Sequence, residues 1–422
     1  MSARLFQERP ASRAREVDVL VVGGGPSGLA AALELRRLGV HVAVVEREHS
    51  LGGIPRHSHH TGYGLRDLHR VLSGPAYGAH YAALAERAGV EVHVTTTATS
   101  WSAEGHLVTT SPSGIDRWAA QAILLATGCR ERPRAARLVP GDRPSGVLTT
   151  GALQQLAYLY RLPIGERAVV VGAEHVSFSA VHTLVSCGVH VAAIVTDQPA
   201  SQSYAVLQML TAGRNRISVH VSTDLAAIHG AERVRAVELE DRRSGARWSV
   251  PCDTVVLTGD WVADYELART GSVAMAGPHP DVDQWLRTMR PGVFAAGNLV
   301  HAAEPADICA LGGTQAARSI MQYLADGAWP DRAISIVATD PFAWVHPARL
   351  TSAQERPTRG RLLTRTRRFL GPGTIEVVQT GRVAHAVRHR RLVPNRSISV
   401  PLPTNALDLA RGPVEIVWRS RR

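Results

Sequence analysis

Read for its apolar and polar positions, the chain shows one pattern twice. The run VDVLVV (Val17 to Val22) is apolar apart from Asp18, which predicts a strand. Glycines follow, then an apolar stripe at helical spacing to Leu38, a break at Gly39, and a second apolar strand closing on Glu46. From Ala168 the same order returns in AVVVGAEHVSFSAVHTLVSCGVHVAAIVTD, with matching strand, helix and strand lengths, so the repeat predicts two related βαβ units. Between them the pattern predicts a helix near Tyr77 to Ala88, one strand over EVHVTTTATS, hairpin material through Ile115, and the strand AILLATG ending at Gly128. After the second unit come short strands, VVLTGD (Val255 to Asp260), PGVFAAGN (Pro291 to Asn298) and a helix near Gly312 to Leu324. Past Trp329-Pro330 the chain turns to short strands rich in Pro, Gly and Arg, a β-rich segment with no glycine fingerprint. The predicted fold class is therefore α/β, two nested Rossmann-like dinucleotide-binding units plus a small β-rich C-terminal domain. The expected boundaries are 16–147 with 263–330, 148–262, and 331–422.

The glycines of the first unit, Gly23, Gly25 and Gly28, form G-x-G-x-x-G between a predicted strand and a predicted helix. Gly23 permits the tight turn, Gly25 leaves room for a pyrophosphate against backbone amides, and Gly28 lets the helix pack close to the sheet. The helix start then offers free N–H groups and a positive dipole end to the phosphates. Glu46, at the tip of the second strand about 20 residues on, can accept both hydroxyls of an adenosine ribose, and its charge disfavours a 2′-phosphate. The competing reading is a βαβ unit that binds nothing.

Composition narrows the chemistry. Each of the 47 basic residues is an arginine, so a lysine Schiff base, a P-loop lysine and a lysine base are all excluded. The four cysteines, Cys129, Cys187, Cys252 and Cys309, form no C-x-x-C pair, which leaves no local motif for zinc or an iron–sulfur cluster; no metal site is expected. The first 20 residues hold no uninterrupted apolar core and no later stretch reaches about 18 apolar residues, so neither a leader nor a membrane span is expected, and the cytoplasm is the expected location. Charge is uneven: residues 331–422 hold 17 Arg against 6 Asp and Glu, while residues 1–330 hold 30 of each. That excess predicts a docking surface for an acidic partner, a partner dehydrogenase subunit or a second copy, on a domain removable after Trp329. No recognition motif supports nucleic acid. Arginines scattered by codon bias are the plain alternative.

The ordered motifs GGGPSG, Glu46, Gly52-Gly53, ATG at Ala126 to Gly128, an inserted second unit and GVFAAGN resemble those of the pyridine nucleotide-disulphide oxidoreductase superfamily, over about residues 16–328. The resemblance implies FAD in the first unit and NAD(P)H in the inserted one. By residue match, Gly23, Gly25, Pro26, Ser27 and Gly28 would hold the FAD pyrophosphate, Glu46 with Arg47 the ribose, and Gly53 with Ile54 the loop over the diphosphate. Ala98 would meet the adenine through its backbone, and Ala126, Thr127, Gly128, Gly297 and Asn298 would complete the cofactor site. Asn298 stands where an Asp is usual, and the redox cysteine pair expected after Gly52-Gly53 is replaced by Ile-Pro-Arg-His-Ser-His-His, which excludes dithiol chemistry. The second fingerprint, Gly172, Glu174 and Ser177, lacks two glycines, and Glu174 would put a carboxylate in the pyrophosphate path, so NAD(P)H binding is doubtful there.

A narrower similarity, carried by GGIPRHSHHTGYGLRDL, SGPAY and TGCRERPR, is to FAD subunits of amino-acid, opine and glycerol-3-phosphate dehydrogenase systems. Some of those carry a Cys where Ser58 stands and others iron–sulfur ligands in a C-terminal segment; this sequence has neither. The candidate chemical groups are His57, His59, His60 and Tyr63, in the loop that reaches the flavin in the wider family; packing alone is the competing role. The helix at 312–324 would direct its dipole at reduced flavin, and Cys309 reads as a buried small hydrophobe. Three functions follow: the FAD subunit of a dehydrogenase for an amine, amino acid, 2-hydroxyacid or polyol phosphate; a self-sufficient NAD(P)H-dependent flavin reductase or oxidase; or a non-catalytic FAD-binding scaffold.

Overall fold

A computed structural model describes residues 13–352 and 360–421. The first sheet runs in the order Glu91–His93, Val42–Val45, Arg13–Val22, Gly114–Leu125, Leu107–Ser111, Thr97–Trp101, with Val293–Ala295 alongside the far half of Gly114–Leu125. Arg13–Val22 lies parallel to both neighbours, with Val19 opposite Val42 and Val22 opposite Leu125. Helices cover both faces of such a strand, which is why Val19, Leu20 and Val21 are all fully buried rather than alternating.

The inserted unit has its own parallel sheet, in the order Val147–Thr149, Thr254–Leu257, Arg167–Val171, His190–Val195, Val219–His220. An antiparallel meander of Thr223–His229, Ala236–Asp241 and Arg247–Pro251 flanks it. The chain crosses between the units on paired strands, Cys129–Glu131 outward and Trp261–Ala263 back. Past that crossing Gly141 and Ser145 bridge to Ile228 and Arg233, and Val139 packs on the core of the inserted unit. The internal repeat extends to dihedral angles. Helices Pro26–Arg37 and His175–Ser186 are both 12 residues long; Gly25 caps the first at φ −83°, ψ −176° and Glu174 the second at φ −91°, ψ −178°.

Residues 334–352 and 360–420 carry two sheets on a shared core that draws Ile336, Ile375 and Ile416 from one and Phe342, Leu362 and Val400 from the other. The larger sheet ends at a free edge strand, Arg382–His389.

Local differences from expectation have physical causes. EVHVTTTATS is two strands, Glu91–His93 and Thr97–Trp101, because Thr95 turns into the left-handed region at φ +51°. The helix expected at Tyr77 starts at Gly74: Ser73 caps it and accepts the Ala76 N–H, with Pro75 in the first turn. The helix expected at Gly312 starts at Ala306 and runs to Asp326. Gly313 lies inside it because a Cβ there would stand 1.9 Å from the Ser27 carbonyl oxygen, where the two helices meet.

The expectation of a removable basic domain is corrected. Arg349 pairs with Asp281 at 2.7 Å, and Arg365 pairs with Glu304 at 3.1 Å, both ends of the latter buried. Ala348 donates to the Val282 carbonyl, and Thr351 reaches Asp283 and Gln284. Truncation after Trp329 would leave Asp281 and Glu304 as carboxylates without their arginines, an expensive state. Arg356, Arg359 and Arg422 lie outside the described residues, as do residues 1–12. No helix among the described residues is long and apolar enough to cross a membrane.

Candidate functional site

The glycine loop of the first unit encloses space rather than side chains. A Cβ at Gly23, whose φ is +109°, would stand 2.5 Å from the Ala126 carbonyl oxygen, so the ATG turn lies against the loop from below. A Cβ at Gly28 would fall 1.9 Å from the Gly23 oxygen, which closes the helix onto the strand. A Cβ at Gly25 would meet only the Gly53 Cα, at 3.9 Å. That opening faces the start of helix Pro26–Arg37, whose first-turn N–H groups have no intrahelical acceptors. Gly53, at φ +61°, crosses above, and Gly52 donates to the Gly24 carbonyl at 2.8 Å. Gly297, at φ +71°, packs on Ser27, bringing the GVFAAGN turn to the same helix start.

The Glu46 carboxylate is buried at the rim. It accepts the Gly24 N–H at 2.7 Å and the Glu48 N–H at 2.8 Å, one per oxygen, leaving a lone pair on each for a ribose hydroxyl. The open cradle at Gly25, the free helix-start amides and this acid fit the adenosine diphosphate half of FAD. Other expected residues sit less directly. Arg47 points to Asp264 at 3.3 Å, and Thr127 donates to the Asp264 carbonyl at 2.8 Å. Gly128, at φ +77°, has open space where a side chain would be. Ala98 pairs with Thr109 in a hairpin, whereas the backbone that bonds the Glu46 segment is that of His93, Thr95 and Thr96. The Asn298 amide is engaged on both sides by Glu304, accepting its N–H at 2.7 Å and donating to its carbonyl at 3.2 Å. The first turn of the long helix carries Asp307, buried and paired to Arg66 at 2.9 Å, so the positive end of that dipole is already compensated.

Beyond Gly53, Ile54–His57 form one turn of 3-10 helix, with Ile54 exposed and the chain continuing as the histidine loop. The four candidate groups have separate surroundings. His57 is buried with no partner for Nδ1 among the described residues, and desolvation, with Arg56 nearby, lowers its pKa to about 4. His59 stacks flat on Tyr158 of the inserted unit, ring centroids 3.8 Å apart. His60 places Nδ1 2.8 Å from the Thr61 carbonyl oxygen and Nε2 3.5 Å from the Tyr63 hydroxyl. A carbonyl only accepts, so Nδ1 carries the proton and Nε2 the lone pair. Burial lowers His60, keeping it neutral. Tyr63 leans on Tyr77, whose hydroxyl, with that of Tyr81, donates to Asp67 at 2.5 and 2.8 Å; the loop is thereby tied to helix Gly74–Arg87.

Sequence reading missed the groups that come from afar. Gln154, Tyr158 and His182 of the inserted unit stand against the histidine loop. Beyond Asn298, His301 and His346 meet edge to face at 4.8 Å beside Glu304 and Arg365. In the inserted unit, Gly172 keeps its positive φ, +127°, but the Glu174 carboxylate and Ser177 hydroxyl occupy the loop above it.

Comparison with known proteins agrees with this geometry. A family profile described as pyridine nucleotide-disulphide oxidoreductase matches residues 17–323. The chain is 25% identical to the ferredoxin–NADP reductase of Ignicoccus hospitalis over 74% of its own length and 99% of that protein. It is 26% identical to the opine oxidase A-subunit of Agrobacterium tumefaciens, covering 84% of this chain and 71% of the relative. It is 31% identical to the alpha subunit of sarcosine oxidase from a Corynebacterium species over 57% of this chain, but only 26% of that longer protein. Among solved structures, thioredoxin reductase from T. acidophilum superposes with a TM-score of 0.62 at 18% identity, over 74% of this chain and 100% of that one. L-Proline dehydrogenase from P. horikoshii gives 0.57 at 16%, over 78% and 59%; at these identities the two show a shared fold. With all four cysteines free, the chain belongs to the pyridine nucleotide-disulphide oxidoreductase family as an FAD-dependent oxidoreductase without a redox-active disulphide.

Proposed function

We propose that this chain is the FAD component of a dehydrogenase whose donor is an amine, an amino acid or a 2-hydroxyacid-type compound, polyol phosphates included, and that it works beside a partner subunit. Its likeness to the opine oxidase A-subunit and to the alpha subunit of sarcosine oxidase supports both the donor class and the partner. The observation that carries the reading is His60: a neutral imidazole with its proton fixed on Nδ1 and its lone pair beside Tyr63, in the loop leaving Gly53. FAD, when bound, accepts the hydride that such a donor releases. The chain's own part is to hold the cofactor and take the proton. The Gly25 opening and the start of helix Pro26–Arg37 hold the pyrophosphate, and Glu46 the ribose. His60 Nε2 accepts the proton from the donor's N–H or O–H, directly or through Tyr63, as a general base.

Anaerobic mixing of the FAD-loaded chain with sarcosine, opines, proline, simple amino acids and 2-hydroxyacids tests this, alone and with the product of any adjoining oxidase-like gene. Bleaching of the flavin band by one class and retention of the band with the others is the expected result. The likeness to ferredoxin–NADP reductase favours a second reading, a self-sufficient NAD(P)H-dependent reductase. Rapid bleaching by stoichiometric NADH or NADPH, with no response to any donor, would establish that one instead.

A further inference from the structure

The geometry points to a second unit that is sealed by the chain itself: the Glu174 side chain fills the pyrophosphate cradle, and Arg396 of the C-terminal domain latches the loop that lies across it. The inference assumes that the first unit holds the FAD, and its test reads that occupancy separately.

The two units offer an internal comparison. Backbone angles at Gly25 and Glu174 are nearly the same, so the second loop retains a dinucleotide-ready path. Its contents differ. Where the first unit is open above Gly25, the Glu174 carboxylate turns inward and is 6% exposed. Its Oε2 lies 2.8 Å from where a Gly172 Cβ would stand, and its Oε1 3.0 Å from the corresponding point at Gly259. The Glu174 N–H, in the position of the Gly25 amide, already donates to Ser177 Oγ at 3.2 Å, and that hydroxyl meets Thr258 Oγ1 at 2.6 Å. A phosphate arriving here would find the volume and one donor already taken. Arg137 donates to the Thr258 and Gly259 carbonyls, each at 2.8 Å; burial raises the pKa of the Glu174 carboxyl, with the nearby Arg137 charge a smaller opposing influence. Thr196 occupies the position of Glu46, so the acid for a ribose is missing as well.

The cover is equally specific. In the first unit the Gly24 carbonyl accepts one donor from the crossing loop, Gly52. In the second, the Ala173 carbonyl receives the Ser201 hydroxyl and the N–H groups of Gln202 and Ser203, at 3.1, 3.0 and 3.2 Å. His175, first residue of the helix, bonds the Ser203 hydroxyl at 3.0 Å and lays its ring on Tyr204, centroids 4.5 Å apart. Arg396 then reaches across from the C-terminal domain, donating to the Gln202 carbonyl at 2.8 Å and the Ser203 carbonyl at 2.5 Å, with its guanidinium 4.4 Å from the Tyr204 ring. A nucleotide would have to displace the carboxylate, the loop and the latch together. The unit thus serves as a socket for the chain's own side chains, and the electron partner of the flavin is something other than a pyridine dinucleotide.

Calorimetric titration of the full-length, FAD-loaded chain with NADH and with NADPH decides this. The wild type is expected to show no saturable binding up to about 1 mM, an affinity weaker than roughly −4 kcal/mol. Glu174→Gly should tighten binding at least about tenfold, and Glu174→Gly with Arg396→Ala should tighten it further. Glu174→Gln keeps the filled volume and should remain silent. Flavin absorbance per chain reports the first unit in each sample; loss of it in the wild type would indict the FAD assignment, not the seal. Micromolar binding by the wild type overturns the proposal. So does Glu174→Gly, or Glu174→Ala should the glycine variant fail to fold, that keeps its FAD and melting temperature yet binds no better than wild type.

Discussion

Gly25 and Glu174 cap helices of equal length at nearly equal dihedral angles, so a carboxylate can be moved from one unit to the other without straining the backbone. Gly25→Glu should therefore fold and melt close to wild type while losing its FAD. Absorbance near the flavin band, measured per chain, checks this; a yellow variant would mean that the pyrophosphate does not pass Gly25. A second residue-scale outcome concerns His60. Its neutral form is the base, and burial holds its pKa below 6.5, so donor-driven flavin reduction should fall on the acid side with a midpoint below that value and stay flat above it. His60→Ala should keep FAD, lower the reduction rate by about 10²-fold and abolish that acid limb. His59→Ala should leave the limb in place, since its ring is spent on Tyr158. Gly23, Gly25, Gly28 and Glu46 could be named together from the sequence because one short stretch of chain carries all four, whereas the Gly53, Ala126 and Gly297 turns that close around them come from other segments. His60 was not separable from His57 and His59, because what distinguishes them is the Thr61 carbonyl, a missing partner at His57 Nδ1, and a ring from another unit.

Elements were legible where one periodicity ran unbroken and illegible where a single residue interrupted it. Strands Arg13–Val22 and Arg167–Val171 and their helices follow from continuous apolar runs ended by glycine. The start of helix Ala306–Asp326 did not, because Gly312-Gly313 looks like a boundary until its neighbour is known. Gly313 is there for close approach: a Cβ would press on the Ser27 carbonyl at 1.9 Å, in the turn that begins helix Pro26–Arg37. Gly313→Ala should gain a little helix propensity and lose more to overpacking, about 1–3 kcal/mol net. Because the displaced residue is Ser27, at the helix start that faces the cradle, FAD should also dissociate faster. Thermal melting and FAD release after dilution would show both effects. Gly312→Ala, with nothing within 4 Å of the added carbon, should show neither.

Apart from Arg368, Arg411 and Arg419, which pair with acids of their own domain, the arginine excess divides at the scale of the whole molecule into two populations. Arg349, Arg365 and Arg396 face inward and join the C-terminal domain to the other two units. Arg365→Ala should accordingly cost about 3–5 kcal/mol, since it leaves buried Glu304 without its partner. Composition alone could not separate these arginines from the rest, because their acids, Asp281 and Glu304, lie far back in the sequence. The other population is exposed. Arg382, Arg388, Arg390 and Arg391 stand on or just past the free edge strand Arg382–His389, with no ion pair among the described residues. Such charges keep an edge from pairing with neutral strands, and they also give it a field suited to an acidic one. Under the proposed role as one component of a dehydrogenase, an acidic partner subunit is expected to dock at that edge. Changing these four arginines to Gln should leave melting temperature and FAD content unchanged and reduce partner association. The wild-type association should weaken steeply as salt rises toward about 0.5 M, where the Debye length falls below about 5 Å. Equal capture of the same subunit by both forms at low salt would place the docking surface elsewhere. Loss of FAD from the quadruple variant would show instead that the edge supports the fold.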